Sequence, residues 1–284
     1  MMLGINAPAK INWFLRVSDR RGDGYHNIVS LMQFVTLQDS ITLEESDDIA
    51  VLTEAAIPAQ ENLVLKAAMM LKVTTGTQKG AKISLKKDIP ISAGLGGGSS
   101  DAAAVLKGLN QLWKLNLSFN ELSELCARLG SDVPFFLGGP AALVKGKGDE
   151  VTPVVLKRPY TILLVKPAFG INTAWAYREF DACADRQGLT KKHNNIKLFC
   201  RALDSGDFSF LSDISINDLE KGVFREYPVL RDIKQELLRN GARFSAMSGS
   251  GSTVFGVFED EHSAAYAMHQ MSHDNWCRVV KTIV

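Results

Sequence analysis

Hydrophobic residues recur along this chain either about every 3.6 residues, as in a helix, or about every second residue, as in a strand. The two patterns together predict a mixture of helices and strands. The clearest helical pattern lies between Val105 and Trp113, where apolar residues recur at intervals of one, three and four. The same period, with capping residues such as Asn62 and Ser118 and the stop signal Gly130, predicts further helices. The predicted helices cover residues 63–76, 119–129, 173–181, 194–204, 228–240 and 261–273.

Runs rich in β-branched residues predict strands between these helices. They cover residues 9–17, 28–37, 39–43, 81–87, 141–146, 149–155, 160–167, 242–247, 253–258 and 276–284. The acidic stretch 44–60 follows neither period and is predicted to be irregular. The pattern changes near Leu156, and residues 157–159 have the composition of a linker, so we predict domains at 1–158 and 159–284. Intermixed strands and helices are typical of an α+β fold.

A glycine-rich stretch leads directly into the clearest helix. Residues 90–103 read PISAGLGGGSSDAA, with four glycines in five positions before Ser99 and Ser100. Glycine permits positive φ angles and lets a ligand approach the backbone closely. The free N–H groups at the start of the next helix, and the two serine hydroxyls, would bind an anion such as phosphate. Considered alone, the same residues are equally those of an ordinary glycine-rich loop capped by serine.

Two familiar nucleotide-binding motifs do not fit this stretch. A Walker A loop ends in Gly-Lys-Ser or Gly-Lys-Thr, whereas no lysine follows Gly98. A dinucleotide-binding loop carries an acidic residue ~20 positions further on, and residues 116–119 supply none. The role of the glycine stretch therefore depends on residues elsewhere in the chain.

Three further sites carry candidate chemistry. Lys10 lies among apolar residues in the first predicted strand, Asp132 precedes Pro134 at the predicted start of a helix, and residues 248–252 form a glycine–serine turn. Taken singly, they are an edge lysine, a helix cap and a hairpin connection. Together with the glycine stretch they supply two phosphate cradles, one cation and one carboxylate, which suits phosphoryl transfer. No obvious cluster of metal ligands accompanies them.

Composition narrows the function classes. The 284 residues carry a net charge of +1, which favours neither nucleic acid nor an anionic membrane as a partner. Four scattered cysteines argue against a zinc site or a disulfide framework. No apolar run approaches the ~20 residues of a membrane span, and the first residues lack a signal-peptide core. We therefore expect a cytoplasmic protein without a nucleic acid or membrane partner. Separately from composition, we predict a monomer or weak homodimer that binds small molecules.

These motifs resemble those of the GHMP kinase superfamily, which includes galactokinase and the homoserine, mevalonate and phosphomevalonate kinases. The resemblance runs in order through PISAGLGGGSSDAA, GSDVPFFLGGPA, NDLE (217–220) and MSGSGSTVFG (247–256). PAKINWFLRV (8–17) and RRGDGYH (20–26) resemble the branch that phosphorylates a cytidine diphosphate derivative of methylerythritol in the non-mevalonate isoprenoid pathway. Trp13 stands where that branch usually has leucine, and residues 183–200 are less similar to it.

The resemblance implies a two-domain α+β fold with an active site in the cleft between the domains. The N-terminal domain would resemble domain 2 of ribosomal protein S5, and the C-terminal domain would be ferredoxin-like. Lys10 and Asp132 match the catalytic pair, and Mg-ATP is the implied phosphoryl donor. The residues implied for ATP are Asn62, Leu63, Pro90, Ala93, Gly94, Leu95, Gly96, Gly97, Gly98, Ser99 and Ser100. Those implied for the acceptor substrate are Asn12, Tyr25, His26, Thr173, Tyr177, Gly249 and Ser250.

Elementary chemistry agrees with these implied roles. Tyr25 and Tyr177 would stack on the two faces of cytosine, a contact worth ~1–3 kcal/mol per base, and His26 would hydrogen-bond its edge. Asp132 would accept the proton of the substrate hydroxyl, with Lys10 and the helix start favouring its ionised form. Lys10 would also offset the charge on the γ-phosphoryl oxygens. No carboxylate is an evident Mg²⁺ ligand, and Ser100 is a candidate.

Two alternatives stay open on the sequence alone. One is another GHMP kinase, such as a homoserine or phosphomevalonate kinase, against which the RRGDGYH segment argues. The other is a non-catalytic nucleotide sensor or structural protein on the same fold, since one fold can host many functions. The presence of both Lys10 and Asp132 argues against that second alternative.

Overall fold

A six-stranded sheet organises the first half of the chain. The computed structural model describes residues 2–183 and 196–284. The strands of this sheet are β1 (Met2–Arg20), β2 (His26–Ser46), β3 (Ile49–Thr53), β4 (Gly80–Lys86), β5 (Ala141–Gly146) and β6 (Glu150–Pro153). The long strand β2 pairs antiparallel with β1 on one edge, and with β4 and β5 at the two ends of its other edge. β3 adds to β4 in parallel, and β6 adds to β5 antiparallel.

Helices cover one face of this sheet. They are α1 (Leu63–Thr75), α2 (Gly97–Trp113) and α3 (Phe119–Leu129), followed by a short 3₁₀ helix (Pro134–Leu137). The apolar face predicted for α2 is buried against β1 and β2. Gly108 permits this close packing, because a Cβ atom there would collide with the side chains of Ile5 and Leu43.

The second half of the chain forms a four-stranded antiparallel sheet. Its strands are β7 (Thr161–Pro167), β8 (Phe244–Met247), β9 (Val254–Phe258) and β10 (Asn275–Lys281), in the spatial order β10-β7-β9-β8. This order is that of a ferredoxin-like fold. The helices of this half are α4 (Thr173–Ala182), α5 (Ile196–Ser205), α6 (Phe208–Ile214), α7 (Glu220–Glu226), α8 (Pro228–Arg239) and α9 (Glu261–Met271). None of the helices in the described residues has the length and apolar character needed to cross a bilayer.

The two sheets share one hydrophobic core, in which Trp13 is central. This residue of β1 is buried, and its ring centroid lies 5.7 Å from that of Tyr160 and 6.0 Å from those of Phe244 and Phe255. The indole nitrogen donates to Gln33 Oε1 at 2.7 Å, so its polar group is satisfied inside the core. The tryptophan that departs from the branch pattern therefore fills the space between the two halves.

The predicted α+β class is confirmed, and several local predictions are corrected. The helix capped by Asn62 and the capping box at Ser118 are both present. The strands predicted at 28–37 and 39–43 are one continuous strand, β2, and the irregular stretch 44–60 contains its end and all of β3. β3 was not predicted because apolar residues occupy both of its faces: Ile49 and Val51 pack on the core, whereas Ala50 and Leu52 are exposed, so no alternation of apolar and polar residues marks it. Residues 194 and 195 of one predicted helix lie outside the described residues.

The domain boundary at residue 158 stays a prediction. The chain passes from the first sheet to the second between β6, which ends at Pro153, and β7, which begins at Thr161. The C-terminal residues then return to the first sheet, where the amide of Ile283 donates to the carbonyl of Phe34 at 2.9 Å.

Candidate active site

Strand β1 carries Lys10 and Asn12 into the centre of the site. Side chains two positions apart share one face of a strand, and here Lys10 Nζ donates to Asn12 Oδ1 at 2.6 Å and to the Gly94 carbonyl at 2.9 Å. Lys10 Nζ also lies 3.7 Å from Asp132 Oδ2. Only 2% of Lys10 is exposed. Burial lowers the pKa of Lys10 below its usual range, and the neighbouring Asp132 carboxylate opposes that shift.

The glycine-rich stretch forms a tight turn held against β1. The amide of Lys10 donates to the Leu95 carbonyl at 3.0 Å. Gly94 and Gly96 have φ angles of 73° and 71°, in the left-handed region that favours glycine. Helix α2 then begins at Gly97, and no side chain caps its first N–H groups. Those groups are therefore free to bind an anion, unlike the capped N-terminus of α1.

The second glycine–serine turn, residues 248–252, is bonded directly to the first. Ser248 Oγ donates to the Gly94 carbonyl at 2.9 Å, and the amide of Thr253 donates to the Ala93 carbonyl at 3.1 Å. Gly249, with a φ angle of 57°, lies against Lys10, since a Cβ atom there would be 3.1 Å from Lys10 Nζ. Lys10 is thus placed between the two glycine turns.

A cavity of about 430 Å³ brings most of the predicted site residues together. Lys10 and Asp132 line it, as do Asn12, Asn62, Leu63, Pro90, Ala93, Gly94, Leu95, Gly96, Gly97, Gly98, Ser99, Thr173, Tyr177, Gly249 and Ser250. Thr173 and Ser250 approach each other, with 3.0 Å between their hydroxyl oxygens. Burial and the charge of Asp132 raise the pKa of Tyr177 above its usual range, which keeps its hydroxyl neutral.

Tyr25, His26 and Ser100 do not line the cavity. Tyr25 is 53% exposed, with Lys147 Nζ 5.5 Å from its ring centroid. His26 is buried and stacks on Tyr177, with 5.3 Å between ring centroids and 21° between ring planes. Ser100 is buried at the start of α2. The cytosine-binding roles of Tyr25 and His26 therefore stay predictions.

The helix predicted after Asp132 is only a four-residue 3₁₀ helix. Asp132 lies in the turn that precedes it, and Val133 is its first flanking residue. A single short turn has little macrodipole, because the dipole is a sum over aligned peptide groups. The charged partner of Asp132 is therefore Lys10, 3.7 Å away, rather than a helix N-terminus.

Sequence reasoning missed a buried charged cluster beside the glycine turn. Lys87 Nζ bonds to Asp39 and lies 2.7 Å from Asp101 Oδ2. Asp39 Oδ1 in turn accepts from the amides of Asp88 and Ile89 at 2.6 and 2.8 Å. Burial raises the pKa of Asp101 to about 7, against the opposing effect of the Lys87 charge. The one sequence feature that could have revealed this cluster was Asp101, an aspartate among small residues on the buried helix α2.

Two more residues of the site were not predicted. Asp181 Oδ1 lies 2.8 Å from His26 Nε2, and its position four residues after Tyr177 on α4 was the available signal. Asn217 Nδ2 donates to the carbonyls of Met247 and Gly249. The sequence feature that could have revealed Asn217 was the NDLE motif (217–220), which supported the family resemblance although no chemical role was assigned to its residues.

Comparison with known proteins identifies the class to which this site belongs. The model of the GHMP kinases N terminal domain matches residues 62–140, and that of the GHMP kinases C terminal domain matches residues 187–275. A homoserine kinase from Cytophaga hutchinsonii, 21% identical, shares the fold with a TM-score of 0.77 over 100% of this chain and 95% of that one. The chain is therefore a GHMP kinase, and the cavity beside its two linked glycine turns is its candidate active site.

More similar proteins narrow the class to one family. The 4-diphosphocytidyl-2-C-methyl-D-erythritol kinase of Thermodesulfovibrio yellowstonii is 46% identical over 284 residues, which are 100% of this chain and 99% of that protein. A crystal structure of 4-(cytidine 5'-diphospho)-2C-methyl-D-erythritol kinase has a TM-score of 0.85 and 32% identity, covering 99% of each chain. The chain belongs to the 4-diphosphocytidyl-2-C-methyl-D-erythritol kinase family.

Proposed function

We propose that this chain transfers the γ-phosphoryl group of ATP to the 2-hydroxyl of 4-diphosphocytidyl-2-C-methyl-D-erythritol, a step of non-mevalonate isoprenoid synthesis. The observation that carries this proposal is the Lys10–Asp132 pair, 3.7 Å apart, in the cavity where the two glycine turns meet. Phosphoryl transfer requires positioning and charge stabilisation rather than a covalent intermediate. A cation, a carboxylate and two sets of backbone amides supply both requirements.

Asp132 is the proposed proton acceptor. The acceptor hydroxyl oxygen bonds to the γ-phosphorus while the bond from that phosphorus to the β,γ-bridging oxygen breaks. The hydroxyl proton passes to the Asp132 carboxylate, and ADP leaves. Asp132 retains 35% side-chain exposure, so its carboxylate is accessible from the cavity. In a loose transition state the proton is lost late, and a weak base is therefore sufficient.

Lys10 is the proposed electrostatic partner of the transferred group. Its ammonium group is fixed by Asn12 Oδ1 and the Gly94 carbonyl, so it needs no reorientation when charge develops. Because Lys10 is buried, water only weakly screens the attraction between its ammonium group and the γ-phosphoryl oxygens. Lys10 thus supplies the cation that the glycine turn lacks when compared with a Walker A loop.

Residues around the cavity fit the two substrates. The uncapped start of α2 and the turn at 94–98 suit the ATP phosphates, and Asn62 with Leu63 would border the adenine. Tyr177 and Thr173 on α4, with Gly249 and Ser250, line the same cavity and would bind the acceptor. His26 stacks on Tyr177, and its Nε2 lies within hydrogen-bond distance of Asp181. The imidazole ring of His26 therefore lies directly against the tyrosine ring that lines the cavity.

Magnesium fits this site as a companion of ATP. No group of three or more His, Cys, Asp or Glu side chains within residues 2–183 and 196–284 could hold a metal ion by itself. The buried hydroxyl of Ser100 has no hydrogen-bond partner in the same part of the chain. Because Ser100 does not line the cavity, its role as a Mg²⁺ ligand stays a prediction. An ion bound with ATP would neutralise charge on the phosphates.

Other properties stay predictions on present observations. They are cytoplasmic location, a monomeric or weakly dimeric state, the absence of a nucleic acid partner, and the division into domains at residue 158. None of them is needed for the proposed reaction.

Release of ADP from Mg-ATP, measured by a coupled assay with different acceptors, tests the proposal. We expect turnover with 4-diphosphocytidyl-2-C-methyl-D-erythritol and none with homoserine or phosphomevalonate. Turnover with homoserine or phosphomevalonate would instead assign the chain to a GHMP kinase with that substrate. ATP binding without turnover on any acceptor would instead support a nucleotide sensor.

A further inference from the structure

Asn217 is a buried carboxamide that holds the second glycine turn from behind. It lies between α6 and α7 and is 6% exposed. Its Nδ2 donates to the carbonyls of Met247 and Gly249 at 2.9 and 2.7 Å, and its Oδ1 accepts from the Leu219 amide at 3.1 Å. Both donor hydrogens and one acceptor site of the side chain are therefore used, and its orientation is fixed.

The backbone around Asn217 is anchored to the strand that carries Lys10. The amide of Leu15 donates to the Ile216 carbonyl, and the amide of Asp218 donates to the Leu15 carbonyl, each at 2.9 Å. The carboxylate of Asp218 accepts from the Val17 amide at 2.7 Å. Through these bonds, the position of Asn217 relative to β1 is set independently of the glycine turn.

Glu220, the last residue of the NDLE motif, contacts the strand that leads into the turn. Its Oε1 accepts from the Met247 amide at 2.8 Å, and its Oε2 accepts from Lys234 Nζ at 2.6 Å. Glu220 therefore holds the N–H group of Met247 and Asn217 holds its C=O group, so the two peptide groups that flank Met247 are both fixed where the turn begins.

The bond from Asn217 to Gly249 decides where the next amide points. In a trans peptide group the C=O and N–H bonds point in opposite directions. Since the Gly249 carbonyl points at Asn217, the Ser250 N–H group points away from that side chain. Gly249 and Ser250 both line the cavity. Within the described residues, no acceptor bonds to that N–H group. A free amide at a cavity wall beside Lys10 is a donor for an anionic ligand.

We propose that Asn217 is a positioning residue that directs the Ser250 N–H group at a phosphate of the phosphoryl acceptor. This inference rests on the proposed function, because the acceptor carries the diphosphate that the amide would bind. Asn217 acts through the turn and does not itself touch the substrate. The ligand chemistry is a phosphate oxygen that accepts a hydrogen bond from the backbone, close to the Lys10 ammonium group.

The test compares Asn217→Asp with Asn217→Ala and with the neighbouring change Asp218→Asn. A carboxylate at 217 still accepts from the Leu219 amide but cannot donate to the two carbonyls of the turn. An amide at 218 can still accept from the Val17 amide, so this variant is a control for the same loop. Calorimetry without nucleotide gives the Kd of 4-diphosphocytidyl-2-C-methyl-D-erythritol, and a separate titration gives the Kd of a non-hydrolysable ATP analogue.

We expect both Asn217 variants to bind the acceptor at least about tenfold more weakly, with the affinity for the ATP analogue changed less than about threefold. The Asp218→Asn control should bind both ligands as the wild type does. Equal weakening of both ligands, or a lower thermal midpoint with unchanged acceptor Kd, would assign Asn217 to the fold alone and overturn the inference. Wild-type chain that binds no cytidylyl acceptor would contradict the proposed function itself, which separates the two failures.

Discussion

At the scale of single residues, Lys10 is both buried and positively charged, two properties that usually conflict. A buried ammonium group is costly, and burial lowers its pKa. Two oxygen acceptors, Asn12 Oδ1 and the Gly94 carbonyl, together with the Asp132 carboxylate, compensate part of that cost. The result is a cation that is fixed in place and faces a cavity, which is the arrangement that stabilises developing phosphoryl charge.

Replacement of the proposed base tests this arrangement. We expect Asp132→Asn to lower kcat by roughly a hundredfold to ten thousandfold, because the amide cannot accept the hydroxyl proton. The affinity for ATP should change little, since Asp132 is proposed to contact the acceptor hydroxyl rather than the nucleotide. Steady-state kinetics and a nucleotide titration measure the two quantities. The control is Asp149→Asn in the β5–β6 turn, outside the cavity, and full activity of the Asp132 variant would remove that residue from the mechanism.

At the scale of elements, the site depends on the uncapped start of α2 and on the turn that precedes it. Gly94 cannot carry a side chain, because a Cβ atom there would collide with the Ser248 carbonyl and the φ angle is 73°. A backbone oxygen cannot rotate away as a flexible side chain could. The two glycine turns are therefore packed against each other and cannot vary independently.

Gly94→Ala should displace the turn and weaken ATP binding by about tenfold or more, with a loss of stability of roughly 1–3 kcal/mol from the strained φ angle and the collision. Calorimetric titration with ATP and thermal unfolding measure these effects. Gly4→Ala is the matched control, because Gly4 is an exposed residue of β1 with nothing within 4 Å of an added Cβ atom. Unchanged ATP affinity in the Gly94 variant would argue against phosphate binding at this turn.

At the scale of the whole molecule, the C-terminal residues fasten the two sheets together. The amide of Thr282 donates to the Tyr160 carbonyl at 2.9 Å, and the Tyr160 amide donates to Thr282 Oγ1 at 2.8 Å. On the other sheet, Ile283 donates to the Phe34 carbonyl at 2.9 Å, and Gln33 Nε2 donates to the Ile283 carbonyl at 2.8 Å. The cavity walls come from both halves of the chain, so this connection also supports the site.

Removal of residues 282–284 should lower the free energy of unfolding by roughly 2–5 kcal/mol, at about 1 kcal/mol for each lost hydrogen bond plus the cost of leaving Gln33 Nε2 without its acceptor. Urea unfolding with linear extrapolation measures the change. Removal of Val284 alone, which is 52% exposed, is the control and should alter stability by less than about 0.5 kcal/mol. Equal effects of the two deletions would show that the C-terminal contacts do not fasten the sheets.

Local pattern was enough to predict much of the fold and to single out the glycine turns, Lys10 and Asp132, whereas the other predicted cavity residues came from the family resemblance. The period of α2, the caps at Asn62 and Ser118 and the glycine turns all depend on residues close in sequence, so they are visible before folding. β3 was missed because apolar residues occupy both of its faces, which leaves no alternation of apolar and polar residues in the sequence. The cluster of Asp39, Lys87 and Asp101 was missed because its members come from separate elements and meet only in three dimensions.

The sequence by itself determined the chemistry that this protein has available. It contains two glycine turns, a lysine, an aspartate and the RRGDGYH segment (20–26), in the order shared by one kinase family. Only the tertiary structure decided which of these residues meet. It placed Lys10 within reach of residues 84 and 122 positions away, Gly94 and Asp132. It also made Lys10 rather than a helix N-terminus the partner of Asp132, and it put Asn217 behind the second turn. The physical reason is that backbone preference is local, whereas electrostatics and hydrogen bonding act between whichever groups the folded core brings together.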